Sequence, residues 1–182
     1  MRLPHSGIAP SDRLVEDEGV SARDDLEARV ALLEAERAVL KTLHRYGHAI
    51  DYGDEESWVD CFTEDGVFDI RARLSHQPNR IVSGRDELRA FIARHTRAPE
   101  LWHKHLLVEP VIEVDGDTAT CSSYLAVVME HDDEPLLRVF GRYRDRLVRC
   151  PDGRWRFLER IAEVESMRRG LPPFVDGRPP RA

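Results

Sequence analysis

The stretch WHKHLLVEPVIEVDGDTATCSSYLAVVME, Trp102 to Glu130, decides the fold class. Apolar residues alternate from Trp102 to Val114, the period of a strand with one buried face. Asp115-Gly116-Asp117 supplies a tight turn, and Thr118 to Glu130 is rich in β-branched and apolar residues, so the two runs read as a hairpin. The pattern continues downstream. His131 to Pro135 is a polar turn, Leu136 to Arg149 alternates again, Pro151-Asp152-Gly153 turns the chain, and Trp155 to Glu165 makes a fourth strand. Val67 to Ala72 is a further short strand. Upstream the period is that of a helix. From Asp24 to about Asp51 there is no proline and only Gly47, while Leu32, Ala35, Val39, Leu43, Tyr46 and Ile50 recur at spacings of three and four. Asp24 and Asp25 suit the positive end of the helix dipole, and Gly53 suits a stop. A second short helix is expected over Glu55 to Phe62. A third is capped by Ser83 or Asp86, with Leu88, Phe91 and Ile92 as its apolar face. Helices first and a four-stranded antiparallel meander after them predict an α+β domain whose curled sheet carries the long helix on its concave side.

Length and composition bound the rest. A chain of 182 residues is long enough for one domain with tails. Hydrophobic residues make up 41% and charged residues 34%, and no run approaches the roughly 18 to 20 apolar residues of a membrane helix. The net charge of −7 argues against a protein that grips nucleic acid by its phosphates. Three cysteines, Cys61, Cys121 and Cys150, show no CxxC spacing, which points to a reducing compartment and away from zinc. No signal-peptide pattern opens the chain, so the cytoplasm is expected. Residues 1–23 read as a flexible arm, 24–169 as the domain and 170–182 as a proline-rich tail. That tail is either loose or an extended strap held by Leu171 and Phe174.

Several motifs carry a resemblance. Tyr46-Gly-His-Ala-Ile-Asp51-Tyr-Gly-Asp, Trp58, Phe62-Thr-Glu-Asp-Gly-Val-Phe68, His105 ahead of the Val114-Asp-Gly-Asp-Thr-Ala119 turn, and Gly141-Arg-Tyr-Arg-Asp145 followed by Gly153-Arg-Trp-Arg-Phe157 resemble SnoaL-like domains over residues 26–165. The resemblance implies the cone-shaped fold of nuclear transport factor 2, also called cystatin-like, with one deep and mostly apolar pocket. The family includes polyketide cyclases, dehydratases, a dehydrochlorinase, ketosteroid isomerase relatives and non-catalytic subunits, so function must be argued from the site.

Asp51 ends the first helix, nearly in line with Leu33 and Leu40, and points inward or sits at the rim. It is either a paired carboxylate or an ordinary helix-end residue, although negative charge is unfavourable there. His103 and His105 leave the same face of their strand. The resemblance selects His105 as the partner of Asp51; the alternative is a pocket-wall histidine bonded to backbone. An aspartate on one ring nitrogen leaves the other as a base near neutral pH. The resemblance also implies that Arg160 steadies departing negative charge, and places Tyr46 where the dehydrochlorinase has a lysine. A tyrosine there suits an enolate or hydroxyl better than a halide. Tyr143 shares its face with Val139 and Gly141, and Trp58, His103, Leu125, Val127 and Val139 are expected to line the pocket or fill the core. Val127 stands near a second aspartate of the bile-acid dehydratase, which that chemistry would miss here. His44 and His48 lack the partners of a metal site, and the glycine patterns of nucleotide binding are absent, so neither metal nor cofactor is expected. The Arg138 to Arg149 run reads as an exposed sheet face.

The expected function is therefore a cofactor-independent lyase or isomerase of dehydratase or cyclase type, acting on a small apolar metabolite. The alternative is a non-catalytic ligand-binding or accessory subunit, like the small subunit of a ring-hydroxylating dioxygenase. Epoxide hydrolysis is a third reading, but it calls for paired aspartates where only Asp51 is a strong candidate. Either way a homo-oligomer, dimer or trimer, is expected from the exposed sheet face.

Overall fold

The computed structural model describes residues 21–73, 79–171 and 173–176. The expected N-terminal arm lies outside them, except for Ser21 and the first helical residues. Helix α1 spans Ala22–Tyr52 and is capped by the Ser21 side chain, which accepts from the Arg23 N–H. Helix α2 covers Glu55–Val59, with the Asp54 carboxylate accepting from the Ser57 N–H. Strand β1, Phe62–Ala72, begins earlier than expected, so Phe62 belongs to the sheet and not to α2. Strand β2, Arg80–Ser83, is unforeseen and leads directly into α3, Gly84–Ala93. Ser83 is the N-cap of α3, yet its hydroxyl makes no cap bond; its backbone N–H donates to Glu87 instead, at 2.9 Å. The remaining strands are β3 (His103–Asp115), β4 (Thr118–His131), β5 (Glu134–Arg149) and β6 (Trp155–Met167).

One six-stranded sheet results, in the order β2-β1-β6-β5-β4-β3. The meander is antiparallel as expected, but β1 joins β6 in parallel, so the sheet is mixed. Chain order explains why. The segment from β2 through α3 carries the chain away from β1 to the far edge, and the meander returns until β6 lies beside the earlier strand. Pro110 is tolerated in β3 because β3 is an edge, and Glu109 at φ 51° and the register shift between Val108 and Val111 form a bulge there.

Helix α1 packs on β3 and β6. Val39, Leu43, Tyr46 and Ile50 are buried as the helical stripe predicts, and Tyr46, Trp58, Phe62, Phe68, Phe91 and Phe157 form one aromatic cluster beneath them. Leu32, at the head of that expected stripe, is 44% exposed and Leu33 63%, because the N-terminal half of α1 projects beyond the domain. Residues 173–176 lie as a strap. Phe174 O accepts from Thr96 N–H at 2.7 Å, Val175 bridges to His95, and Asp176 pairs with Arg94. Among the described residues no helix is long and apolar enough to cross a membrane.

Candidate functional site

Gly53 ends α1 in a left-handed conformation, φ 75°, and its N–H and that of Asp54 both return to Ala49 O. The helix thus stops just after Asp51. One turn earlier, Gly47 lets α1 approach β3 closely: a β-carbon at Gly47 would stand 3.2 Å from His105 O. These two local features bring a buried carboxylate against the start of β3. Asp51 accepts from the His105 backbone N–H at 3.0 Å and from the His105 ring through Nδ1 at 2.7 Å. An ionised carboxylate only accepts, so Nδ1 carries the proton and Nε2 holds the lone pair.

His105 lines a cavity of about 350 Å³ between the sheet, α1 and the strap. Its walls are largely apolar and include Leu125, Val127, Val139 and Phe174, together with Tyr46 and Tyr143. The two tyrosine rings meet edge to face, 6.1 Å between centroids, and their phenol groups interact. Burial pushes both phenols up, Tyr143 to about 12, so each keeps its proton at neutral pH.

Other expected residues stand elsewhere. Arg160 does not line the cavity. It is wholly buried behind the tyrosines, with its guanidinium carbon 4.0 Å from the Tyr46 ring, 3.7 Å from Tyr143 and 4.6 Å from Phe157. Its charge partner is Asp145, at 3.5 Å, and burial raises that carboxyl to about 6 against the pull of Arg160. Trp58 sits in the aromatic cluster, stacked on Phe91 and away from the cavity lining. His103 lies beside Asp51, its Nε2 3.5 Å from Oδ1 but outside hydrogen-bonding geometry, and it too is absent from the lining.

Among the cavity-lining groups, His95 and Arg138 are not foreseen from the sequence. His95, just past α3, lines the cavity; its Nδ1 pairs with Thr96 O at 2.7 Å, and its ring stacks on Phe174. No periodicity marks that position. Arg138 is buried in the cavity wall, 3.6 Å from the Phe174 ring, and does not belong to the exposed arginine face. The register shift between Val127 and Val128 sets Arg138 and Val139 both inward, which strict alternation forbids. Arg142, Arg144 and Arg146 do face solvent, where Glu163 and Glu159 pair with them. Asp145 is within reach of parity, two residues after the inward Tyr143.

Asp51, His103 and His105 each offer a ligand atom, all within 4.8 Å of one another, so this group could hold a metal ion. That would require His105 Nδ1 to exchange the Asp51 hydrogen bond for the metal. His103 is the better-disposed ligand, since neither of its ring nitrogens has a hydrogen-bond partner among the described residues.

The buried histidines give the fold a pH dependence of defined sign. Burial, reinforced by the neighbouring His105, lowers His103 to about 4 and puts His95 well below 6.5. Between about 6.5 and 4 the unfolded chain therefore binds protons that the native histidines refuse, and stability falls as pH falls. Asp145 acts oppositely between about 6 and its ordinary value of 3.8, because there the native state holds the extra proton. Asp145 offsets only part of this, so stability is expected to slope downward as pH falls through this range. Urea melts from about pH 7 to about pH 4.5 are expected to show that slope, and Asp145→Asn is expected to steepen it. A flat profile would contradict the burial of neutral histidines.

A long helix laid on a six-stranded sheet around one apolar cavity makes this an α+β protein of the class typified by nuclear transport factor 2. The chain belongs to the SnoaL-like domain family, which its residues 31–161 match. A variant of Rv3472 of Mycobacterium tuberculosis, a protein of unknown function, is similar at 30% identity over 78% of this chain and 75% of that one, with a TM-score of 0.63. An NTF2-like protein with a cystatin-like fold from Novosphingobium aromaticivorans shares 24% identity over 80% of this chain and 92% of its own, at a TM-score of 0.65. ActVI-ORFA of Streptomyces coelicolor shares 23% over 70% and 95%, at 0.58. The last two likenesses bear on the fold alone. No curated protein matches the sequence.

Proposed function

We propose that the protein is a cofactor-independent lyase or isomerase, of dehydratase or cyclase type, acting on a small apolar carbonyl compound. The observation that carries this reading is the 2.7 Å bond between Asp51 and His105 at the wall of an apolar cavity. In the proposed reaction, Nε2 of His105 takes a proton from carbon next to the carbonyl. The C–H electron pair moves to the carbonyl oxygen as an enolate, and the Tyr46–Tyr143 hydroxyl pair donates to that oxygen. Asp51 holds the tautomer and stabilises the imidazolium that forms. The His105 imidazolium then gives its proton back: collapse of the enolate expels a β-hydroxyl that takes the proton and leaves as water, or the enolate carbon attacks a second carbonyl to close a ring whose alkoxide takes it, or the proton returns to another carbon. Catalytic roles fall to His105 and Tyr46, while Asp51 and Arg160 act through their neighbours. The cavity lies near the low end of the roughly 300–1,000 Å³ range of ligand sites, which suits a one- or two-ring molecule.

Deuterium uptake tests it. The protein is incubated in D₂O with a panel of one- and two-ring ketones and β-hydroxyketones, and exchange next to the carbonyl is followed by NMR. Uptake above the buffer rate is expected for at least one compound. Ligand binding without exchange across the panel would favour the accessory-subunit reading. Exchange lost on dialysis against EDTA and restored by Zn²⁺ would move the chemistry to a metal at Asp51, His103 and His105.

A further inference from the structure

The N-terminal half of α1 leaves the domain with a second apolar stripe, which among the described residues is uncovered from Leu26 to Leu33, while Leu40 at its lower end is half-buried beside Pro110 and Ile112 of β3. Leu26, Val30, Leu33, Arg37, Leu40 and His44 follow one another at alternating spacings of four and three, the seam of a heptad repeat. At about 100° per residue this seam lies about 130° around the helix from the stripe Val39, Leu43, Tyr46, Ile50 that faces the core. Exposure agrees: Leu26 is 57%, Val30 45% and Leu33 63% exposed, and an open groove runs along Val30, Leu33, Arg37 and His44.

We propose that α1 pairs in parallel with α1 of a second copy of this chain, as a short two-stranded coiled coil outside the domain. Charge selects both the occupant and its direction. With Leu26, Leu33 and Leu40 at d and Val30 and Arg37 at a, the flanking g and e positions of a parallel pair set Arg29 against Glu34 of the other copy, and Glu36 against Lys41. Symmetry doubles both attractive contacts, and neither has a repulsive counterpart. An antiparallel pair centred between Val30 and Leu33 sets Glu27 against Glu34, which offsets its attraction between Arg29 and Glu36. One centred on Ala35 opposes Glu34 to Glu34 and Glu36 to Glu36, which offsets its attraction between Glu27 and Lys41. Arg37 at a buries its stem in the seam and carries its guanidinium toward Glu36 of the other copy. The domain packs α1 from Val39 to Ile50, so the paired segment Leu26 to Leu40 extends an existing helix and needs no new nucleus.

The full-length protein tests this by sedimentation equilibrium at micromolar concentration, where two chain masses are expected. Leu26→Glu with Leu33→Glu is expected to give one chain mass with an unchanged far-UV circular dichroism spectrum. Arg29→Glu alone and Glu34→Arg alone are each expected to weaken the dimer about 10-fold, and the two together to restore it. Leu26→Cys is expected to form a disulfide-linked dimer on mild oxidation that the wild type does not form. A single chain mass at every concentration overturns the proposal. So does a dimer that survives Leu26→Glu with Leu33→Glu, which would assign the contact to the outer sheet face around Val111, Tyr124 and Phe140. Failure of the paired charge reversal to restore the dimer overturns the parallel arrangement. None of these variants touches the cavity, so failure here leaves the proposed reaction standing.

Discussion

Replacing His105 by Gln is expected to lower the rate of deuterium uptake by about 10²- to 10⁴-fold, the usual contribution of a positioned general base. The backbone N–H of residue 105 still reaches Asp51 in this variant, so the fold is retained and the loss falls on chemistry. Asp51→Asn separates two roles. It abolishes the carboxylate that holds the Nδ1 proton, and it also weakens the tie between α1 and β3. Its activity loss is therefore expected together with a lower melting temperature, whereas His105→Gln lowers activity alone. Exchange-rate measurements on both variants, beside thermal melts, check the pair. Full turnover in His105→Gln would remove the imidazole from the reaction.

The largest expected effect on stability belongs to Arg160. Its guanidinium is wholly buried, wrapped by Tyr46, Tyr143 and Phe157, and faces a carboxylate that is equally buried. Arg160→Met leaves Asp145 without its counter-charge and is expected to cost about 3–5 kcal/mol at neutral pH. For a domain of this size that is a fall of roughly 10 °C in Tm. Because burial already raises Asp145 to about 6, the uncompensated carboxyl can escape the penalty by taking a proton. The destabilisation is consequently expected to shrink at about pH 5. Arg160→Met with Asp145→Leu removes both charges and is expected to regain most of the loss. Urea denaturation of the two single variants and the double variant measures the coupling. Equal stability of Arg160→Met and wild type at about pH 7.5 would show that the pair contributes nothing.

These expectations change what Arg160 is for. The resemblance assigns it to departing negative charge, but the tyrosines stand between it and the cavity. Its influence on a reacting oxygen would pass through their hydroxyl pair, which places it as a positioning residue. Arg138 is a buried charged group at the cavity wall, which Arg80 and Asp176 also line, and it stands on a strand whose alternation marks it as solvent-facing.

Local pattern is a good guide wherever one period holds. The core stripe of α1, the four meander strands, their turns, and the shared face of His103 and His105 all follow from spacing, because a helix repeats about every 3.6 residues and a strand every two. Asp51 and His105 can be named as a pair, yet only through the resemblance, since 54 residues separate them and no spacing rule spans that distance. Bulges break the alternation. One extra residue at the Val127/Val128 shift turns Arg138 inward, and the register change near Arg146 and Leu147 helps bury Arg160.

Amino-acid order alone therefore determines most of the elements, their sequence along the chain and the acidic net charge, because these depend on composition and on neighbours in the chain. Tertiary structure decides that β1 lies parallel to β6, that His95 and Phe174 reach the cavity wall, and that Arg160 withdraws behind two tyrosines. Those outcomes depend on which surfaces meet when distant segments compete for the same buried space, and burial is a property of the whole packed chain.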